Sequence, residues 1–175
     1  MLAKSNSRFY GISGSWRDIN ESVECDVRDT ISDIIKNWDW IISWWALGVD
    51  YIATQTVLDI GDPVTQLQIY LPISLQLFCD HYDKRAKEWI ITSQQADMII
   101  TQLQKVHTIF PSSIRDETPY TEATTESYYA RNTTIVESCD ELYAFQVNDS
   151  QWVQDAIMKA NHLSKPVHLK RYSIK

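Results

Sequence analysis

Three segments of this chain carry residue types suited to binding a phosphate. The first is Gly11-Ile12-Ser13-Gly14-Ser15-Trp16-Arg17, two glycines and two serines ahead of a cation. Gly14 lets the backbone approach an anion, Ser13 and Ser15 supply hydroxyl donors, and Arg17 suits a bidentate pair with phosphate. The same spacing fits a plain glycine turn followed by an exposed arginine. It matches neither G-x-G-x-x-G nor G-x-x-x-x-G-K-[ST], so a dinucleotide site and a P-loop are both excluded and no cofactor is expected.

The second segment is Ser43-Trp44-Trp45-Ala46-Leu47-Gly48-Val49-Asp50. Ser43 and the amides of 44 to 46 are expected to hold a phosphate at the start of a helix, aided by its dipole. Such a turn favours glycine, because φ can be positive and no side chain fills the space. Trp44 and Trp45 stand there instead, and two adjacent indoles would plug an anion site. Asp50, one turn further on, reads as a helix charge bonded to backbone. The third segment is the region of Arg131-Asn132, a cation and an amide, with residues 146–150 following the next strand; the pair also fits a helix surface. Among the aromatics, Tyr143 and Phe145 alternate as core residues do, whereas Tyr128 and Tyr129 precede the pair, and one of them is expected to line a pocket.

The elements that must position these residues follow from periodicity. Strand-like runs at 8–12, 39–43 and 67–71 alternate with helical patterns at 21–37 and 46–60, the order of a parallel sheet covered on both faces. Helical patterns follow at 74–88, 92–107, 126–138 and 150–162, with further strands at LYAFQ (142–146) and VHLKRYSI (167–174). The polar run 111–125 reads as a loop. The expected fold is α/β, a Rossmann-like open, mainly parallel sheet of about five strands in the order 3-2-1-4-5. It forms a single domain over 1–175 with a helical insertion at about 74–125. In such sheets ligands bind beyond the carboxyl ends of the strands, where the strand order reverses.

Composition narrows the function. With 44% hydrophobic and 22% charged residues the chain builds a real core, and no apolar run is long enough for a membrane helix. Three cysteines without a CxxC pair (Cys25, Cys79, Cys139) and scattered histidines (His81, His107, His162, His168) give neither a disulfide framework nor a metal site. A cytoplasmic location is expected, with no membrane partner. A net charge of −7 counts against a general DNA coater, and the clusters Lys84-Arg85-Lys87 and Lys170-Arg171 read as solvated faces.

The motifs GISGSWR, SWWALGVDY, YYARNTTIVESCDELYAFQVNDSQWVQDAI and PVHLKRYSI resemble the Rossmann-like nucleotide-binding superfamily of DNA-processing protein A and the cytokinin-activating phosphoribohydrolases (the SLOG superfamily). The DNA-processing branch, with its role in DNA uptake and recombination, is the closer one. Ser43, Ala46, Gly48, Asp50 and Arg131-Asn132 match its pattern, while small residues or glycines stand there in place of Trp44 and Trp45. The resemblance implies non-catalytic binding of a phosphorylated nucleotide or single-stranded nucleic acid at Gly11, Ser13, Gly14, Ser15, Arg17, Ser43 to Ala46, Gly48, Asp50, Arg131 and Asn132. Two alternatives stay open. One is a phosphoribohydrolase-like enzyme, although the segment 146–155 lacks that family's paired glycines and glutamate and offers only Asp155. The other is a nucleotide-signal sensor acting as a homo-oligomer or with a partner through the insertion.

Glycine itself is scarce, at 4 residues where an average of about 7% predicts roughly 12, and there are 7 tryptophans. Trp38, Trp40, Trp44, Trp45, Trp89 and Trp152 all occupy places where turn physics or the resembling pattern favours glycine; Trp38, for example, follows a helix. A single cause is expected, an opal codon written as tryptophan that the source reads as glycine; the alternative is genuine tryptophans that closed an ancestral pocket. Only Trp16 fits its position.

Overall fold

The computed structural model describes residues 7–16 and 19–174. Its elements run β1 (Phe9–Gly14), α1 (Glu21–Lys36), β2 (Trp40–Ser43), α2 (Val49–Ile60), α3 (Pro63–Gln66), β3 (Leu67–Tyr70), α4 (Leu75–Lys87), α5 (Ser93–Ile109), a 3-10 turn (Pro111–Ser113), β4 (Ile114–Arg115), α6 (Thr125–Ser138), β5 (Glu141–Val147), α7 (Gln151–His162) and β6 (Val167–Tyr172). The sheet is six-stranded in the order β4-β3-β2-β1-β5-β6, and each pairing is parallel. The five expected strands keep their order. The sixth, β4, lies within 111–125, where two residues beside Tyr70 extend the edge.

Local chemistry sets the helix ends. The Asn20 side chain accepts from Val23 N–H at 3.0 Å and starts α1, whose Val23, Val27, Ile31, Ile34 and Ile35 form one buried stripe. Capping boxes start α5 (Thr92 with Gln95) and α6 (Thr124 with Ser127). Adjacent β2 residues face opposite layers: Ile41 packs with α1, α2 and α5, and Ile42 with Ile135, Val136, Ala156 and Ala160 of α6 and α7. The sheet is thus covered on both faces, and the order reverses between β1 and β5. Among the described residues no helix is long and apolar enough to cross a membrane.

Two helices end in a way that costs stability. After α4, Trp89 N–H donates to the Ala86 carbonyl and Ile90 N–H to the Arg85 carbonyl, the paired bonds of a Schellman turn. The turn puts Trp89 at φ 57°, with its ring 92% exposed. Trp38 holds the same place after α1 at φ 63°. A left-handed backbone costs a residue with a Cβ roughly 1–2 kcal/mol, and glycine almost nothing. Glycine gives part of that back through its freer unfolded chain. Trp89→Gly is therefore expected to raise stability by about 1 kcal/mol in urea unfolding, with Trp89→Ala unchanged within about 0.5 kcal/mol. An equal gain in both variants would place the cost in the indole rather than in the backbone.

Candidate functional site

The carboxyl ends of β1, β2 and β5 meet where the strand order reverses. Gly14 ends β1 beside Phe145 of β5, and Ser43 ends β2. Ser15 ties β1 to β5: its hydroxyl accepts from Val147 N–H at 2.9 Å, and its N–H donates to the Phe145 carbonyl. Gly48 sits at φ 81° with the Ser15 carbonyl so close that a Cβ would lie 2.5 Å from it. A Cβ on Gly14 would overlap the Val49 side chain. Only glycine at both positions lets the first two segments close on each other.

Between them lies a cavity of about 110 Å³. Its lining combines Gly14, Trp16, Trp44, Ala46 and Asp50 from the first two segments with Tyr82 and Arg85 of α4, Tyr128 and Arg131 of α6 and Trp152 of α7. Among the described residues, two arginines and one carboxylate share this lining with five aromatic rings, a setting that suits a planar anion.

Arg131 is the central group. It is only 7% exposed, donates from Nη1 to the Trp44 carbonyl at 2.8 Å, and leaves Nε without a partner. Its guanidinium lies between two rings, 5.4 Å from Trp44 and 4.9 Å from Tyr128. Burial pulls its pKa below the ordinary value, and Tyr128, Asp50 and Tyr82 oppose that. It remains a cation.

Asp50 is fully buried. Burial pushes its pKa up to about 7, against Arg131, the Trp44 N–H and the Ser43 hydroxyl, which favour the charged form. Ser43 Oγ donates to Asp50 Oδ1 at 3.4 Å and accepts from Trp45 N–H at 3.5 Å, while Oδ2 has no partner.

Arg85 reaches the cavity from α4. Its Nε donates to His81 Nε2 at 2.8 Å, and its guanidinium lies 5.2 Å from the Trp16 ring. Burial and then Arg85 drive the His81 pKa down to about 4, so the ring is neutral and free to accept at pH 7. His81 Nε2 is also 3.3 Å from the Tyr128 hydroxyl, which fixes that ring against Arg131.

Gly14, Trp44, Ala46, Asp50 and Arg131 therefore converge on one cavity, and the other expected residues surround it or lie apart. Ser13 is buried with its hydroxyl unpartnered, and Ser15 and Ser43 are engaged internally. Gly48 caps α2 from its N-terminal side. Gly11 packs inside β1 against Cys139. Trp45 turns into the main core at 1% exposure. Asn132 donates to Asp155 Oδ2 at 3.0 Å and joins α6 to α7. Arg17 lies outside the described residues.

Two expectations are corrected. The second helix starts at Val49, not at 46, because Gly48 at φ 81° breaks the turn before it. The Trp44 and Trp45 amides are accordingly not at a helix N-terminus, and they point inward to Asp50 and Ser43. Trp152 is in the first turn of α7, within the helical pattern expected at 150–162, with its ring tilted against Tyr129 at 5.0 Å. Tyr82 and Arg85 were not foreseen. The one available signal was the Lys84-Arg85-Lys87 cluster, in which Lys84 and Lys87 are exposed and Arg85 turns inward.

No family model matches the chain, and no curated protein matches it in sequence. Solved structures do. DNA processing protein A from Helicobacter pylori superposes on 91% of this chain with a TM-score of 0.60 at 18% identity. This chain has the fold of DNA processing protein A. The Streptococcus pneumoniae protein of that name agrees, over 92% of the chain at a TM-score of 0.53 and 13% identity. The chain covers 63% of the first of those two proteins and 58% of the second, less than two thirds of either. The H. pylori structure is described for its mode of binding single-stranded DNA.

Proposed function

We propose that the chain binds a phosphorylated nucleotide or a segment of single-stranded nucleic acid, without turning it over, in the cavity beyond β1 and β2. The observation that carries this reading is Arg131, a buried cation that lines the cavity, lies over the Trp44 and Tyr128 rings and keeps its Nε without a partner. Aromatic platforms beside arginines stack bases and neutralise phosphates with little regard for sequence. The fold shared with a protein that binds single-stranded DNA supports the nucleic-acid form of the reading.

No side chain is assigned a catalytic role. Among the described residues Asp50 is the one carboxylate on the cavity wall, and it is bonded to Ser43. Asp155 is held by Lys159 at 2.7 Å and by Asn132.

Arg85 supplies the test, because it stands at the rim on a helix surface and its loss leaves the core intact. With a labelled oligothymidylate followed by fluorescence anisotropy, Arg85→Ala is expected to weaken binding about 10-fold and to lower the salt slope by about one. An unchanged affinity and slope would remove the cavity from the binding path.

A further inference from the structure

Among the described residues, six that are not glycine have positive φ: Trp38, Trp45, Trp89, Asn148, Asp149 and Ser164. Asn148, Asp149 and Ser164 are short and polar, and Asn and Asp are the types that tolerate this region by bonding to nearby backbone. Tryptophan has no such device, and a bulky residue there is a genuine outlier. Yet it holds half of these places while making up 7 of 175 residues.

The surroundings of each site describe a glycine. Trp38 and Trp89 stand at the position after a helix where glycine is the common residue, and each N–H donates to the carbonyl three residues back, Ile35 and Ala86. Trp89 gains nothing from its ring, which is almost fully in water. Trp45 is at φ 49°, two residues beyond the end of β2, and its indole N–H is buried without a partner. The neighbouring Trp44 shares that last defect, although its φ is ordinary. Two unpartnered indole donors side by side in a core are unusual for native structures.

We infer that positions 38, 44, 45 and 89 carry glycine in the protein made by its own source, through an opal codon that this sequence writes as tryptophan. The tryptophan and opal codons differ only in the third base, so one reassigned codon accounts for all four positions. Trp40 in β2 and Trp152 in α7 have ordinary backbone geometry, and the inference does not extend to them. Its functional consequence lies at position 44. The Trp44 ring lines the cavity and covers one side of Arg131. Glycine there uncovers the guanidinium and widens a space of about 110 Å³ toward the roughly 300–1,000 Å³ of ordinary ligand sites.

The test reads the gene and the protein together. The coding sequence is expected to show TGA at codons 38, 44, 45 and 89 and TGG at codon 16. Mass spectrometry of peptides covering 37–51 and 84–95 from the native source is expected to find glycine at all four positions. TGG at codon 38, 44, 45 or 89, or tryptophan found at any of those four positions, would overturn the inference. Neither outcome depends on what the cavity binds.

Discussion

Arg131→Ala is expected to abolish binding and to weaken the fold in one step. The guanidinium donates to the Trp44 carbonyl and lies between the Trp44 and Tyr128 rings, so alanine removes a charge-assisted bond and two cation–π contacts. Bonds to charged groups contribute about 1.5–3 kcal/mol and each cation–π contact about 0.5–2. A loss of about 3 kcal/mol in urea unfolding follows, together with at least about a 100-fold loss of oligonucleotide affinity. Arg131→Lys separates the two effects. It keeps a cation but not the planar fork, and should hold more of the stability than of the binding. Parental stability in the alanine variant would mean that the buried guanidinium contributes nothing to the native state.

The second large effect is a pH dependence set by Asp50. An aspartate titrates near 3.9 in an unfolded chain, and here burial moves it to about 7. The native state then binds the proton more tightly than the unfolded state does. Stability from this group is complete below about pH 4, falls as pH rises to about 7, and stays level above that. The span is a few kcal/mol, at about 1.4 kcal/mol for each unit of pKa. Asp50→Asn keeps the size and removes the charge, so its unfolding should lose this slope and exceed the parent in stability at pH 8. Urea unfolding of both proteins from pH 4 to 8 measures it. A parent with level stability across that range, or a variant with the same slope, would show Asp50 ionised at little cost.

Much of this architecture is legible in the sequence because its elements are long and regular. The Val23, Val27, Ile31, Ile34 spacing of α1 has one reading, and five strands alternating with helices lead to a parallel sheet with its switch point beside β1. What escapes is short or remote. β4 is two residues of an otherwise polar stretch, and only its pairing with Ile69 and Tyr70 makes it a strand. The start of α2 depends on one backbone angle at Gly48. Arg85 joins Arg131 at the cavity across 46 positions of sequence, and nothing near it in the chain separates it from Lys84 and Lys87, which face water. The first segment offers a different lesson. Its serines look like phosphate donors, yet Ser15 is spent on joining β1 to β5. Six tryptophans stand out in the sequence, and the backbone puts three of them, at 38, 45 and 89, in the left-handed region.

The central claim is that the cavity beneath Arg131 takes a phosphorylated nucleotide or single-stranded nucleic acid. The most direct measurement is a binding isotherm for a labelled oligothymidylate, with nucleoside monophosphate as competitor, on the chain as written and on Trp44→Gly. Saturable, salt-sensitive binding that tightens at least 10-fold in Trp44→Gly is the predicted result, because the substitution uncovers Arg131. Displacement by the monophosphate would favour the mononucleotide form of the reading, and its failure to compete the nucleic-acid form. No binding of either ligand by either protein at millimolar concentration would contradict the claim.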